Sequence, residues 1–278
     1  MNKTTVAMAL MSFACALPAQ PVITDNYSGQ DYEYEQFKGA ILNDTVSGND
    51  YIFSGNEISG NTLNADAQII GGLIKAKGKV SLNDVTLSDN IFKLTNTSGT
   101  TTMYMLSVDA AEYEINGGKY SGNEAYINTP ANGTVYGLFL NVMYGRTGKV
   151  DGAEFSGNYS QSSYRVQGGA LNVNGAGSSL YVSNSSFINN TVEAGNKARG
   201  AAVENYAATL DMRDSIISGN VSKSPNAAYG AFYASNAGAV SNATDVVFTN
   251  NSALQNGYGA AMYIEAGAVA NVNVTKDT

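Results

Sequence analysis

The sequence predicts an all-β fold, a right-handed parallel β-helix of about eight coils, each of roughly 31 residues with three short strands. Three observations carry this prediction. A unit recurs at a nearly constant spacing, an apolar residue stands at one position in every unit, and a second block never changes in length. Repeats of about 20–50 residues are typical of solenoids, in which each unit buries its apolar face against the next.

Each unit opens on a small residue, usually glycine, and successive openings are 29–34 residues apart. The opening residues are Gly39, Gly71, Met103, Gly137, Gly168, Gly200, Gly230 and Gly259. The residue three positions later is apolar in every unit, which predicts one column of side chains inside the helix. That column is Leu42, Ile74, Leu106, Leu140, Leu171, Val203, Tyr233 and Met262.

The block of fixed length contains two apolar residues five positions apart and an asparagine three positions later. The pairs are Phe53/Ile58, Leu82/Leu87, Ile115/Tyr120, Val150/Phe155, Val182/Phe187, Met212/Ile217 and Ala243/Phe248. The asparagines are Asn61, Asn90, Asn123, Asn158, Asn190, Asn220 and Asn251. We expect the stacked asparagines to form an amide ladder along the helix.

The constant spacing inside this block predicts two strands joined by one tight turn. Asp84, Gly117, Gly152, Asn184 and Asp214 lie in that turn, and these residue types adopt positive φ readily. The segments of variable length are expected to be loops at the other two corners, because length changes in surface loops cost little.

The N-terminus has the features of an export signal. Residues 1–19 contain Lys3, a short apolar run from Val6 to Leu17, and small residues that suit cleavage. Cys15 is the only cysteine, so a cleaved chain would contain no disulfide. An alternative is that Cys15 becomes the acylated first residue of a lipoprotein.

Residues 20–38 match the repeat only in part and are interpreted as an N-terminal cap or partial coil, followed by the β-helix over residues 39–278. The eighth coil begins at Gly259 and stops at Thr278, before a matching apolar pair and asparagine. An uncovered coil exposes unpaired backbone groups, so we expect self-association through this end.

The composition excludes some classes of function. The chain has 278 residues, a formal net charge of −8, a pI of about 4.5 and no histidine. Its 15 basic residues form no run in the sequence, which argues against nucleic-acid binding. The absence of histidine excludes catalysis by a histidine side chain.

The two motifs Gly-Gly-Ala-Leu at 168–171 and Phe-Ile-Asn-Asn at 187–190 resemble the paired GGA[ILV] and FxxN motifs of polymorphic outer-membrane protein repeats. Those repeats occur in the passenger domains of bacterial autotransporters, within the pectin-lyase-like β-helix superfamily. The resemblance covers roughly residues 39–270 and implies a secreted, surface-displayed and often adhesive module. The C-terminal translocator barrel of that family has no counterpart in this sequence.

No catalytic, cofactor or metal site is predicted. Asp109, Glu204 and Glu265 follow the glycine strand but do not align as neighbours, and no repeat of the calcium-binding type is present. Other charged candidates are assigned to turns or judged too dispersed to act together. They are Asp211, Asp214, Asp245, Arg146, Arg165, Arg199 and Arg213.

Three tyrosines directly precede opening glycines and are expected to line one corner of the helix: Tyr136, Tyr229 and Tyr258. They either cover that corner with apolar surface or form a groove for a carbohydrate or a host protein. The sequence thus favours a β-helical passenger or adhesin-like module, exported to the bacterial surface or beyond, that presents loops for binding. The alternative is a carbohydrate-active β-helix enzyme.

Overall fold

The chain winds into a parallel β-solenoid, which confirms the predicted fold class. The computed structural model describes residues 22–33, 40–44, 46, 48–66, 69–95, 101–108, 112–128 and 132–273. None of these residues lies in a helix, and the parallel sheets form about seven turns at a spacing of about 31 residues. The predicted export signal, residues 1–19, lies outside the described residues, as does Asp109.

Two of the three sheets receive one strand from each turn. Sheet 1 contains nine strands, Val22–Ile23, Tyr51–Ser54, Val80–Asn83, Glu112–Asn116, Thr147–Asp151, Ser179–Ser183, Thr209–Arg213, Val240–Thr244 and Val269–Asn273. Sheet 2 contains eight strands, Tyr27–Ser28, Glu57–Ser59, Thr86–Ser88, Lys119–Ser121, Glu154–Ser156, Ser186–Ile188, Ile216–Ser218 and Val247–Thr249.

Sheet 3 contains nineteen strands in three rows, here called rows a, b and c. Row a contains Asp31–Glu33, Thr62–Ala65, Ile91–Leu94, Glu124–Ile127, Tyr159–Ser162 and Thr191–Ala194. Row b contains Gly133–Tyr136, Arg165–Gln167 and Lys197–Arg199. Row c contains Leu42–Asn43, Leu140–Met143, Leu171–Asn174, Val203–Tyr206, Phe232–Ser235 and Met262–Ile264. Four longer strands pass through two rows: Ile69–Ala76 and Thr101–Val108 join rows b and c, and Val221–Tyr229 and Ser252–Tyr258 join rows a and b.

Each turn contributes to three sheets, in line with the predicted three strands per coil, but the third sheet is divided into three rows, so that a full turn has five strand positions. Sheet 3 is bent twice within each turn, first by a loop between rows a and b and then by the glycine corner between rows b and c. The sequence pattern merged these positions, since only the block that forms sheets 1 and 2 has a constant length.

The tight turn between sheets 1 and 2 has one residue with positive φ in each turn, as predicted. It is Gly55, Asp84, Gly117, Gly152, Asn184, Asp214 and Asp245, with φ between 46° and 69°, and Gly118 adds a second one in its turn at 87°. A second such position, which the sequence analysis missed, directly precedes each ladder asparagine. It is Gly60, Asp89, Gly122, Gly157, Asn189, Gly219 and Asn250, with φ between 52° and 65°.

The asparagine ladder is present along the whole stack from Asn61 to Asn251. Each asparagine donates its Nδ2 to the Oδ1 of the next one at 2.9–3.1 Å. The same Oδ1 also accepts the backbone N–H of the preceding asparagine at 3.0–3.2 Å. Each Nδ2 donates further to a carbonyl of sheet 2 in the turn before.

Aromatic and aliphatic side chains fill the interior. Tyr120, Phe155 and Phe187 stack in successive turns of sheet 2, with ring centroids 4.9 and 5.0 Å apart. Phe139 enters the same stack from the glycine corner, 5.4 Å from the Phe155 ring. All four side chains are fully buried, so the apolar pairs of the fixed block form the core that the sequence predicted.

The inward column of row c differs from the prediction at one position. Phe232, not Tyr233, pairs with Val203 and Met262, while Tyr233 pairs with Glu204 and faces outward. The corner that begins at Gly230 is one residue shorter than the others, so that the apolar position comes two residues after the glycine. The remaining members of the predicted column are in register from Leu42 to Met262.

The opening residue Met103 also differs from the prediction. It pairs with Ile69 and Val135 in row b, whereas Gly71 and Gly137 lie at the corner. The register shifts between Tyr104 and Leu106, which returns Leu106 to its expected place beside Ile74 and Leu140. This turn lacks a glycine because it follows a shorter path around the corner.

Partial turns lie at both ends of the described solenoid. Residues 22–33 add a strand to sheet 1, to sheet 2 and to row a, and Gln30 donates its N–H to Asn61 Oδ1 at 3.0 Å. At the other end Val272 pairs with Ala243. The last coil therefore contains the first apolar residue of the fixed block, which the sequence analysis had placed beyond the chain.

Candidate functional site

The outside of the corner between rows b and c carries a continuous set of polar and aromatic side chains. Side chains alternate along a strand, so the residues beside the inward Val166, Ala198 and Val203 point outward. The outward residues of the two rows contact each other across the bend. This surface, here called the corner crease, consists of Tyr136, Gln167, Arg199, Tyr229 and Tyr258 from row b and Asn141, Asn172, Glu204, Tyr233 and Tyr263 from row c.

Glycine makes this tight corner. Gly168 and Gly200 have φ values of 69° and 54°, and a Cβ atom on either would lie 2.1–2.2 Å from the carbonyl oxygen of Leu171 or Val203. No other residue type fits without moving the backbone, because both the conformation and the space are restricted. The opening glycine of the sequence repeat thus has a direct role, which is to bring rows b and c face to face.

The centre of the crease contains a buried carboxylate. Glu204 is 0% exposed, accepts a hydrogen bond from Gln167 Nε2 at 3.0 Å, and lies 3.5 Å from Arg199 Nη1. Its Oε2 has no hydrogen-bond partner among the described residues. Desolvation raises the pKa of Glu204 to about 7, although Arg199 and Gln167 act in the opposite direction.

Arg199 links this carboxylate to the aromatic part of the crease. Its side chain is buried, with 6% of the residue exposed, and its guanidinium carbon lies 4.9 Å from the centre of the Tyr233 ring. This distance is typical of a cation–π contact. Tyr233 in turn donates its hydroxyl to Glu265 Oε2 at 2.9 Å, so one chain of contacts runs from Glu204 to Glu265.

Four tyrosines occupy the C-terminal part of the crease. Tyr229 and Tyr258 stack with centroids 5.3 Å apart, and Tyr233 and Tyr263 stack at 5.8 Å. Tyr229 also approaches Tyr263 to 4.9 Å, which joins the two stacks across the corner. Tyr258 is 48% exposed and Tyr229 and Tyr263 are partly exposed, so an aromatic surface reaches solvent here.

Two further cations stand at the row b edge of the crease. Arg165 and Lys197 pair in register in adjacent turns, two residues before Gln167 and Arg199, and both are partly exposed. Arg165 stacks on Tyr164, with its guanidinium carbon 4.5 Å from the ring centre. Burial lowers the pKa of Lys197, and the positive charges of Arg199 and Arg165 lower it further. Three cations thus lie within two adjacent turns.

The N-terminal part of the crease is neutral and polar. Asn172 donates its Nδ2 to Asn141 Oδ1 at 2.8 Å, and both residues are buried. Tyr136 lies on row b beside this amide pair. The crease therefore changes along the helix axis from amides through a charged centre to tyrosine rings.

The structure brings together some candidates that the sequence analysis had kept apart. Tyr136, Tyr229 and Tyr258 share one outward position on row b, as predicted, but Gln167 and Arg199 lie between the first and the other two. Glu204 and Glu265 do not pair in register, yet Tyr233 and Arg199 connect them.

The arginines are less dispersed than the sequence suggested, because Arg165 and Arg199 lie at the same corner. The other charged candidates lie elsewhere. Arg146 stacks near Tyr144 at 5.6 Å, and Arg213 forms a 3.0 Å ion pair with Asp211 on sheet 1. Asp214 and Asp245 occupy positive-φ turn positions, as expected for structural carboxylates.

The sequence analysis missed Gln167, Lys197, Tyr233 and Tyr263 as members of this surface. A signal for them exists, since each directly precedes an opening glycine, stands three residues before it, or directly follows the inward apolar residue. Across the described ranges, no group of three or more His, Cys, Asp or Glu side chains is placed to hold a metal ion. The described part of the chain also contains no helix with the length and apolar character needed to cross a membrane.

Comparisons of the chain with protein-family models, with curated proteins and with solved structures find no match.

Proposed function

We propose that this chain is an exported bacterial binding module, a β-helical passenger displayed at the cell surface or released from it, whose ligand contacts the corner crease. The observation that carries the proposal is the partly exposed cluster of Tyr229, Tyr258 and Tyr263 beside the cations of row b. Tyrosine presents a flat apolar face and a polar hydroxyl, which suits contact with sugar rings or with a protein surface.

The support under these rings is rigid. Tyr229 and Arg199 are on strands that pair with neighbours on both sides, and the buried Arg199–Glu204 pair fixes the base of the crease. Side chains held on strands lose little conformational freedom when a ligand binds, so more of the contact energy appears as affinity.

The competing interpretation is that the tyrosines only shield the corner from water. It accounts well for Tyr233, which is fully buried over Arg199. It accounts poorly for Tyr258, because almost half of that residue is exposed and its ring stacks on the Tyr229 ring. The two interpretations differ in what removal of the Tyr258 ring would do.

The experiment is a binding screen of the purified chain against oligosaccharides and against intact host cells, with Tyr258→Ala as the test variant. Tyr181→Ala on sheet 1 is the matched control, since Tyr181 is 45% exposed and Tyr258 is 48% exposed. We expect Tyr258→Ala to weaken binding at least tenfold and Tyr181→Ala to leave it unchanged. Equal effects of the two variants would contradict a role for the crease.

The second candidate is a carbohydrate-active enzyme, and the observation that favours it is the pKa of Glu204, raised by burial to about 7. Such a carboxyl group could act as a general acid near neutral pH. Burial argues against this role, since Glu204 is 0% exposed and its Oε1 is already engaged by Gln167 and Arg199. Release of reducing sugar ends that Glu204→Gln abolishes would establish the enzyme, whereas binding without release favours the module.

Export is the remaining part of the proposal and rests on residues 1–19, with Lys3 ahead of the apolar run Val6–Leu17. The test is cell fractionation of a bacterium that expresses the chain with or without these residues. We expect export only when these residues are present. We also expect protease added to intact cells to degrade the chain that is displayed on their surface. Retention of both forms in the cytoplasm would overturn this part of the proposal.

A further inference from the structure

The corner crease combines aromatic rings with a set of cations that have few acidic partners. Within the described residues, Arg199 forms an ion pair with Glu204, while Arg165 and Lys197 form none. The chain as a whole is acidic, with a net charge of −8, so a cluster of three basic residues within two adjacent turns departs from its average composition. Uncompensated cations on a built surface attract anionic ligands.

The arrangement is unfavourable without a ligand. Arg165 and Lys197 are paired directly in a parallel ladder, and like charges in that relationship destabilise a sheet. Arg165 Nε and Arg199 Nε are buried and have no hydrogen-bond partner in the part of the chain that the structure describes. Partial burial lowers the pKa of Lys197, and the positive charges of Arg199 and Arg165 lower it further. Glu265 acts on Lys197 in the opposite direction, as the weakest of the influences on it.

The cations and the rings lie in two neighbouring outward columns of row b. Arg165 and Lys197 stand two residues before the column that contains Tyr229 and Tyr258, and the four residues come from four successive turns. With about 4.8 Å between neighbouring strands, this set spans roughly 14 Å along the helix axis. A ligand that contacts both of its ends must be longer than a single sugar ring and must carry its negative charge at one end or at intervals.

Resting on the function proposed above, we infer that the corner crease binds an anionic oligosaccharide, with a carboxylate or sulfate group on Arg165 and Lys197 and a pyranose ring on Tyr229 and Tyr258. Guanidinium and ammonium groups form charge-assisted hydrogen bonds with such anions, and these are stronger than bonds between neutral groups. A tyrosine face provides the apolar surface that the C–H face of a sugar ring requires.

The experiment compares ligands that differ only in charge. Binding of the purified chain is measured by calorimetry against a hexamer of mannuronic acid, the methyl ester of that hexamer, and a sulfated neutral hexasaccharide. The acid and the sulfated hexamer distinguish a carboxylate from a sulfate source. We expect at least tenfold tighter binding of one or both anionic ligands than of the ester, and affinity that falls as salt rises.

Variants connect this preference to the named residues. The double variant Arg165→Gln/Lys197→Gln is expected to lose the preference for charge, while its thermal melt shows that it still folds. Lys93→Gln controls for the removal of a positive charge outside the crease, because Lys93 is exposed on row a. Tyr258→Ala is expected to weaken binding of the acid and of the ester alike.

Each outcome has a distinct meaning. A charge preference that only the double variant removes supports the inference. Equal affinity for the acid, the sulfated hexamer and the ester overturns it but leaves the binding module intact, provided that Tyr258→Ala still weakens binding. A charge preference that survives the double variant also overturns it. If none of the three ligands binds, the inference is also overturned. Binding of a host protein in the cell screen would then still support the proposed binding module.

Discussion

Asn190 donates its Nδ2 to Asn220 Oδ1 at 2.9 Å and at the same time to the carbonyl of Phe155 at 2.9 Å. Its own Oδ1 accepts both the N–H and the Nδ2 of Asn158. One buried side chain therefore connects three turns, and every bond it makes joins groups that have no access to water.

Removal of this side chain should destabilise the fold. We expect Asn190→Ala to cost about 2–3 kcal/mol, because it leaves buried amide and carbonyl groups without partners. Asn251→Ala is the matched control, since Asn251 is only half-buried at the end of the ladder and should cost less. Urea unfolding measures both variants, and equal losses would show that the ladder adds nothing beyond a local turn.

The ring stack of sheet 2 should be sensitive to truncation. Phe187 lies 5.0 Å from the Phe155 ring at an interplanar angle of 8°, and is fully buried. We expect Phe187→Ala to cost about 3–5 kcal/mol, through lost burial and the cavity that it leaves. Phe248→Ala, in the same column but partly exposed, should cost less. An unchanged melting temperature for Phe187→Ala would show that the ring stack does not stabilise the fold.

Glu204 should make the stability depend on pH. Burial raises its pKa from 4.5 to about 7 in the folded state, so between these values the folded chain keeps a proton that the unfolded chain releases. Its contribution is therefore fully present below pH 4.5 and is lost as the pH rises through about 7. The shift corresponds to at most about 3 kcal/mol.

Glu204→Gln removes this titration. We expect the variant to gain stability relative to the wild type as the pH is raised from 4.5 to 8, measured by urea unfolding at several pH values. Glu57→Gln, on the exposed surface, controls for the loss of one negative charge. A difference between wild type and Glu204→Gln that stays constant with pH would contradict the prediction.

The glycine corner can be tested separately from the strain of a positive φ. Gly168 and Gly175 have φ values of 69° and 90°, but an added Cβ would clash only at Gly168, since nothing lies within 4 Å at Gly175. We expect Gly175→Ala to cost about 1–2 kcal/mol and Gly168→Ala clearly more. Similar melting temperatures for the two variants would mean that the backbone of the corner adjusts easily.

The last described turn should recruit other chains. Leu254, Val269 and Val272 are exposed there, and among the described residues the strand Ser252–Tyr258 pairs only with the turn before it. Unpaired strand edges with apolar side chains promote association. We expect the mass of the 278-residue chain from light scattering to rise with concentration, and a polar capping coil grafted after Thr278 to suppress the rise. A monomer at every concentration would contradict this.

The repeat could be predicted because its physical causes leave marks in every copy. The asparagines from Asn61 to Asn251 must all meet the same hydrogen-bonding requirement, and the turn residues must all adopt positive φ, so the sequence shows both as columns. The second positive-φ position has the same residue types as the first, Gly, Asp and Asn, so it forms an equally clear column directly before each ladder asparagine.

The candidate site was harder to predict, because backbone register decides it. Side chains on a strand change face with each residue, so the missing residue at the Gly230 corner moved Tyr233 from the core to the outside. The contact between Gln167 and Glu204 joins residues 37 positions apart, across a bend as well as between turns. Neither the bend angle nor the register can be obtained from a pattern of apolar residues alone.

The one-way asparagine ladder has a consequence for how such a chain can change in length. Every Nδ2 donates toward the next turn and every Oδ1 accepts from the previous one, so any turn offers its neighbours the same donor and the same acceptor. Loss or duplication of a whole turn would join groups that already match, while a partial insertion within the fixed block would leave a donor facing an apolar side chain. An insertion or deletion of one whole turn, about 31 residues, should therefore disturb the fold less than an insertion or deletion of five residues.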